Sequence, residues 1–203
     1  RAARIIASFE RPEVIENIID NPESLRLGGE SRVITVFFSD VQGFTSLSER
    51  MSPGELVSFL NEYLSAMTDI ILSHGGTVDK FIGDAIMAFY GAPHDLPDHA
   101  VRACLATVDM KRALRDLQDR WRSGGQEEIR MRIGMHTGEA VVGNMGSRSR
   151  MNYTAMGDTV NLASRLEGAN KYYGSGAMIS ESTCRLASAE IESRELDVIR
   201  VMG

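Results

Sequence analysis

Asp40 and Asp84 are the residues of this 203-residue chain best placed to do chemistry. Asp40 closes an apolar run, Phe37-Phe38-Ser39-Asp40, and is followed by Val41-Gln42-Gly43-Phe44-Thr45; Asp84 lies at the tip of an expected hairpin, in Lys80-Phe81-Ile82-Gly83-Asp84-Ala85. Two carboxylates at the ends of adjacent strands can hold hard divalent cations beside a phosphate. Mg²⁺ takes a few carboxylate oxygens and completes its shell with water and substrate oxygens. The pair implies a two-metal nucleotide site. Two further features agree. Val41 to Thr45 leads from a strand end into a helical segment, where free backbone N–H groups attract phosphate oxygens. Asn161 and Arg165 are four apart on an expected helix, so they share a face and could grip a ribose oxygen and a phosphate together. Taken singly, Asp40 reads equally as a helix cap and Asp84 as a turn residue. Arg165 reads as a surface ion-pair residue and Arg132 as part of a polar strand face.

The elements that must position these groups follow from hydrophobic period. Val33 to Phe38 carries β-branched and aromatic residues on both faces and reads as a central strand covered on each side. From Gly54, Leu56, Leu60, Tyr63, Met67 and Ile70 step by four and three, giving an amphipathic helix that ends near Gly75-Gly76. Thr77 to Tyr90 reads as a hairpin turning at Gly83-Asp84. Val101, Leu105, Val108, Leu114, Leu117 and Trp121 mark a second long helix. Ile129 to Met135 alternates with Arg130, Arg132 and Gly134, and so reads as a strand with one core face. A further strand pair is expected over 139–156, turning between Gly143 and Arg150. After it come a helix over about 158–169, a short strand near 177–179, a helix from Glu181 to Ala187 and a final strand toward Val201. Strand, helix, hairpin, helix, strand is the order of a split βαβ, or ferredoxin-like, antiparallel sheet in an α+β fold, with helices expected on one sheet face. A short helix over 12–19 and a linker at Leu27-Gly28-Gly29 precede it, so residues 1–29 read as a junction and 30–203 as the catalytic domain.

Composition restricts the function classes. A hydrophobic content of 43% supports one sizeable core. A net charge of -6 argues against nucleic acid as a partner, since that requires a basic face or stripe. Cys104 and Cys184 lack CxxC spacing and read as buried apolar residues of a reducing compartment. No apolar run reaches membrane-spanning length. The chain starts at Arg1, and an upstream continuation is expected.

Four blocks carry a family resemblance. Phe38-Ser39-Asp40-Val41-Gln42-Gly43-Phe44-Thr45, Lys80-Phe81-Ile82-Gly83-Asp84, Arg132-Ile133-Gly134-Met135-His136-Thr137-Gly138 and Tyr153 to Arg165 resemble the signature blocks of class III adenylyl and guanylyl cyclases, in that family's order and spacing. The resemblance implies that Asp40, Asp84 and the Val41 carbonyl hold two divalent cations (Mg²⁺ or Mn²⁺). It implies that Phe44, Thr45 and Arg132 bind phosphate, that Lys80 and Thr154 select the base, and that Asn161 and Arg165 act on ribose and on the pentacoordinate phosphorus. Lys80 favours ATP: an ammonium donates to the N1 acceptor of adenine, whereas the N1–H and N2–H of guanine want a carboxylate. The implied reaction is attack of the ribose 3'-hydroxyl on the α-phosphorus with loss of pyrophosphate, in sites shared across a head-to-tail homodimer. An upstream sensor or regulatory domain and a cytoplasmic catalytic domain are implied too, any membrane anchor lying upstream. One departure stands out: Met202 occupies the place where the family often has a triphosphate-binding lysine, which predicts reduced activity. A guanylyl cyclase and a catalytically silent nucleotide-binding module are the alternatives. The GGDEF-type hairpin of a diguanylate cyclase is absent, as is the basic template track of a polymerase palm.

Overall fold

The computed structural model describes residues 27–123, 129–147 and 150–200. The expected helix over 12–19, most of the 1–29 junction, Val201 and Met202 lie outside the described residues.

Six strands form one sheet in the order β2-β3-β1-β4-β5, with β6 added to β4. The strands are β1 Gly28–Gln42, β2 Gly76–Ile82, β3 Ala85–Tyr90, β4 Arg130–Ser147, β5 Arg150–Met156 and β6 Met178–Ile179. All pairs are antiparallel except β4 with β6. The gap expected between His136 and Glu139 does not occur: β4 runs unbroken past Thr137 and Gly138, because β1 pairs with it continuously from Gly28 opposite Asn144 to Gln42 opposite Arg130. The final strand expected toward Val201 is likewise not formed within residues 189–200.

Five helices are described: α1 Phe44–Ser48, α2 Pro53–Ser73, α3 His99–Ser123, α4 Asp158–Tyr173 and α5 Glu181–Ala187. Local chemistry sets the start of α2. Ser52 accepts from the Glu55 N–H, Glu55 accepts from the Ser52 N–H, and Pro53 follows the cap. Gly75, at φ 76°, lies beyond its end, a conformation that favours glycine. The buried stripe is Phe59, Tyr63, Met67 and Ile71, rotated by a fraction of a turn from the stripe read in the sequence. On α3 the difference is larger. Leu114, Leu117 and Trp121 are buried as read, but in its first half Ala103, Ala106 and Met110 are fully buried while Leu105 and Val108 face outward, because small residues let the helix lie close to the sheet.

Both sheet faces are covered, and this corrects the one-sided arrangement expected. Phe37 and Val41 pack with α2 and α3, while Ile34 and Val36 face the opposite way, toward Met87, Phe89, Ala155 of β5 and Ala163 of α4. Alternate β1 residues thus serve two cores. The approach of α4 depends on Gly134, where an added Cβ would lie 2.0 Å from the Glu167 nitrogen and 2.4 Å from the Ala163 carbonyl oxygen. Both are backbone atoms and cannot rotate away. Gly134→Ala should therefore lower stability by about 1–3 kcal/mol or more, measurable as a drop in denaturation midpoint, because the helix must shift to relieve the overlap. An unchanged midpoint would show that α4 is not held against Gly134.

A buried polar chain ties the sheet to α3 and α5. His99 Nδ1 and Thr35 Oγ1 are 2.7 Å apart, Thr35 and Thr137 hydroxyls 2.8 Å, Thr137 and Thr183 hydroxyls 2.9 Å, and Ser180 Oγ lies 2.8 Å from His136 Nδ1. Burial lowers the pKa of both His99 and His136 below the ordinary 6.5, opposed by Asp98 and Asp158 respectively. Charging either ring favours the unfolded chain. Stability from these two groups is full above about pH 6.5 and is lost as pH falls toward their depressed folded values. Melting temperature should fall from pH 7.5 to pH 5, and a His99→Gln/His136→Gln chain should show a shallower fall. Equal slopes would place the pH dependence elsewhere.

Candidate nucleotide site

Asp40 lies directly opposite Arg132 in the β1–β4 register, so the two side chains emerge side by side from one sheet face. The Arg132 guanidinium donates to Asp40 Oδ2, and its Nε lies 2.9 Å from Glu167 Oε1 on α4. The second contact is at ion-pair distance but is not aligned as a hydrogen bond, so both buried atoms lack a hydrogen-bond partner. Asp84, in the turn between β2 and β3, accepts at Oδ2 from the Val41 N–H over 2.9 Å. That bond pins the hairpin tip to the end of β1 and brings the two carboxylates together.

Electrostatics reports how close they are. Burial, with the Asp40 carboxyl next to it, pushes Asp84 up to about 6. Glu167 is also raised, chiefly by burial and then by Asp40, and Arg132 opposes this. Asp40 and Glu167 thus flank one guanidinium, and Asp84 lies next to Asp40. The donors brought together are carboxylate oxygens, the chemistry of a hard cation, and the charge excess is what such a cation would neutralise. Among the described residues no group of three or more His, Cys, Asp and Glu side chains is arranged around a metal position. The pair therefore fits ions that draw their remaining ligands from backbone, water and substrate.

Phe44 and Thr45 form the first turn of α1, entered through Gly43 in the left-handed conformation at φ 77°. The first intrahelical bond here is from the Leu47 N–H to the Gly43 carbonyl, so the N–H groups of Phe44 and Thr45 precede it and are left for an external acceptor.

Lys80 and Thr154 come together by a different route. They lie on β2 and β5, the two ends of the strand order, yet Lys80 Nζ donates to Thr154 Oγ1 over 3.5 Å. The sheet curls until its ends meet, helped by Phe89 of β3 against Tyr153 of β5, ring centroids 6.2 Å apart. Between them lies a residue that sequence reading assigned no role, Asp79. Its side chain is 0% exposed, its Oδ2 accepts from the Thr154 hydroxyl, and its Oδ1 is 3.6 Å from Lys80 Nζ.

Asn161 and Arg165 are not brought to either cluster. Ala163, Leu166, Ala169 and Asn170 form the buried face of α4, and Glu167 points at Arg132. Arg165 precedes Glu167 by two positions, about 200° around the helix, and so projects away from its own chain's Asp40. Neither the Asn161 nor the Arg165 side chain makes a hydrogen bond or ion pair with the described residues. Within one chain the expected site residues therefore do not form a single cluster. Glu167 could have been found in the sequence only by phasing α4 against Gly134.

The family model for the adenylate and guanylate cyclase catalytic domain matches residues 29–203, and the chain belongs to that family. It is 38% identical over 184 residues to Adenylate cyclase 1 of Rhizobium meliloti, which covers 89% of this chain but 28% of that protein. Among solved structures it is similar to the adenylyl cyclase CyaB of P. aeruginosa, with 40% identity, a TM-score of 0.82 and coverage of 86% of this chain and 90% of that one. It is similar to almost the same degree to the guanylyl cyclase Cya2, with 40% identity, a TM-score of 0.81 and coverage of 87% and 89%. Overall likeness therefore does not choose the base. No described helix is long and apolar enough to cross a membrane.

Proposed function

We propose that this chain is an adenylyl cyclase, converting ATP to 3',5'-cyclic AMP and pyrophosphate in sites shared between two head-to-tail copies. The observation that carries the base choice is the Lys80–Thr154 pair, an ammonium donor 3.5 Å from a hydroxyl oxygen. Adenine offers an N1 acceptor and an N6 donor on the matching edge. Guanine offers N1–H and N2–H donors, and Lys80 has no lone pair with which to accept them.

In the reaction the ribose 3'-oxygen forms a bond to the α-phosphorus, the bond from that phosphorus to the bridging oxygen of pyrophosphate breaks, and the hydroxyl proton passes to water. Cations held by Asp40, Asp84 and the Val41 carbonyl would lower the pKa of the hydroxyl and neutralise the triphosphate. Arg132 and Glu167 set the orientation of Asp40, and Asp84 is set by the Val41 N–H. The N–H groups of Phe44 and Thr45 bind phosphate oxygens. From the partner copy, Asn161 orients the ribose, and Arg165 balances the charge that grows on the pentacoordinate phosphorus.

Purified chain incubated with ATP or GTP, each with Mg²⁺ or Mn²⁺, should give cyclic AMP from ATP, and Asp84→Ala should give none above background. Cyclic GMP as the main product would transfer the assignment to guanylyl cyclase. No cyclic product with any pairing would sink the enzymatic reading.

A further inference from the structure

We infer that Asp79 is a specificity-determining positioning residue: it locks the Thr154 hydroxyl as an acceptor toward the purine 6-position, so the site takes a 6-amino and rejects a 6-oxo purine. The inference rests on the adenylyl cyclase reading and deepens it.

Successive strand residues normally point to opposite sheet faces, so Asp79 and Lys80 should not meet the same partner. The β2–β3 register shifts between Val78 and Lys80, a bulge that turns both toward Thr154. The Asp79 side chain is fully buried, which is costly for a carboxylate unless it is paired and hydrogen-bonded, and here Lys80 and Thr154 do both. A carboxylate only accepts, so the Thr154 proton is committed to Asp79.

Counting the remaining capacity settles the polarity. A threonine hydroxyl has one donor and two acceptor sites. Asp79 takes the donor, Lys80 occupies one acceptor site at 3.5 Å, and one acceptor site is left. That site suits the N6 amino group of adenine and repels the O6 of guanine. Lys80 retains N–H donors for N1. Asp79 never touches the base; it works through the hydroxyl it orients.

Two analogues of equal bulk isolate the effect: N6-methyl-ATP, which keeps an N–H at the 6-position, and 6-methoxypurine riboside triphosphate, which offers only oxygen there. Both keep N1 as an acceptor, and their inhibition constants against ATP turnover require neither to react. Wild-type protein should bind the N6-methyl analogue about tenfold or more tightly than the methoxy analogue. Asp79→Asn supplies an N–H₂ that can donate to Thr154 and free its O–H for the base, and it should cut that ratio about tenfold. Asp79→Glu, still acceptor-only, should keep it. A residue that merely stabilised the fold would weaken both analogues together and leave the ratio alone. A ratio unchanged in Asp79→Asn overturns the inference. Should that variant fail to fold, the wild-type ratio decides: near-equal inhibition means that the hydroxyl is free to turn, and overturns it too. Wild-type protein that makes no cyclic AMP from ATP removes the adenylyl cyclase reading and this inference together, whereas cyclic AMP formation with equal inhibition sinks the inference alone.

Discussion

Mixing an Asp40→Ala chain with an Arg165→Ala chain should restore cyclase activity that neither has alone. Each parent should lose about 10²–10³-fold in kcat, the loss seen when one preorganised transition-state contact is removed. The reason to expect rescue is the phase of α4. Glu167 reaches the Arg132 that holds Asp40, while Arg165 projects from the opposite side of the helix and has no partner among the described residues. One chain thus presents Asp40 and Arg165 to different places, and a second copy related by a two-fold axis can bring them together. With random exchange about half of the dimers carry both variants, each with one intact site of two, so the mixture should recover roughly a quarter of wild-type activity. A mixture as inactive as its parents would mean that each chain completes its own site, and the shared arrangement would be abandoned.

Lys80→Ala should damage affinity and stability together. Losing a hydrogen bond from a charged donor to the base weakens kcat/KM for ATP by about 10–100-fold. This should appear mainly in KM, because the base is bound equally in ground and transition states. In addition the variant leaves the buried Asp79 carboxylate without its ammonium 3.6 Å away. A buried charged group stripped of a partner costs about 1–3 kcal/mol or more. Adding Asp79→Asn to Lys80→Ala should recover part of the stability and none of the ATP affinity, a coupling that a double-mutant cycle reads directly. If Lys80→Ala melts like wild type, the pair is not holding the two sheet ends together.

Legibility differed along the chain for physical reasons. The apolar period placed the start of α2 at Gly54, one residue inside Pro53, and the capping bonds between Ser52 and Glu55 that fix it there are local. Its buried stripe was nearly readable from the period. On α3 the large residues Leu105 and Val108 drew attention to the wrong side, since burial there is decided by how closely the helix lies on the sheet, and alanines allow that approach. The unbroken β4 was hidden because a Gly-containing stretch, Thr137-Gly138, looks like a break until the β1 pairing that spans it is known.

What the sequence by itself determined was the set of candidate groups. Asp40, Lys80, Asp84, Arg132, Thr154, Asn161 and Arg165 stand in four linked blocks whose types and spacing point to nucleotide cyclisation, and short-range order along the chain is enough to see this. Only the tertiary structure decided which of them meet. Asp84 reaches Asp40 through a hairpin tip pinned to Val41, Lys80 reaches Thr154 because the sheet curls end to end, and Arg165 is turned away by the phase of α4. Asp79 shows the division most clearly. Next to Lys80 in sequence, it should face the other way by strand alternation, and one bulged residue, set by long-range pairing and not by local propensity, brings it under Thr154. The hairpin tip thus joins the paired aspartates, and the curl of the sheet joins Lys80, Asp79 and Thr154.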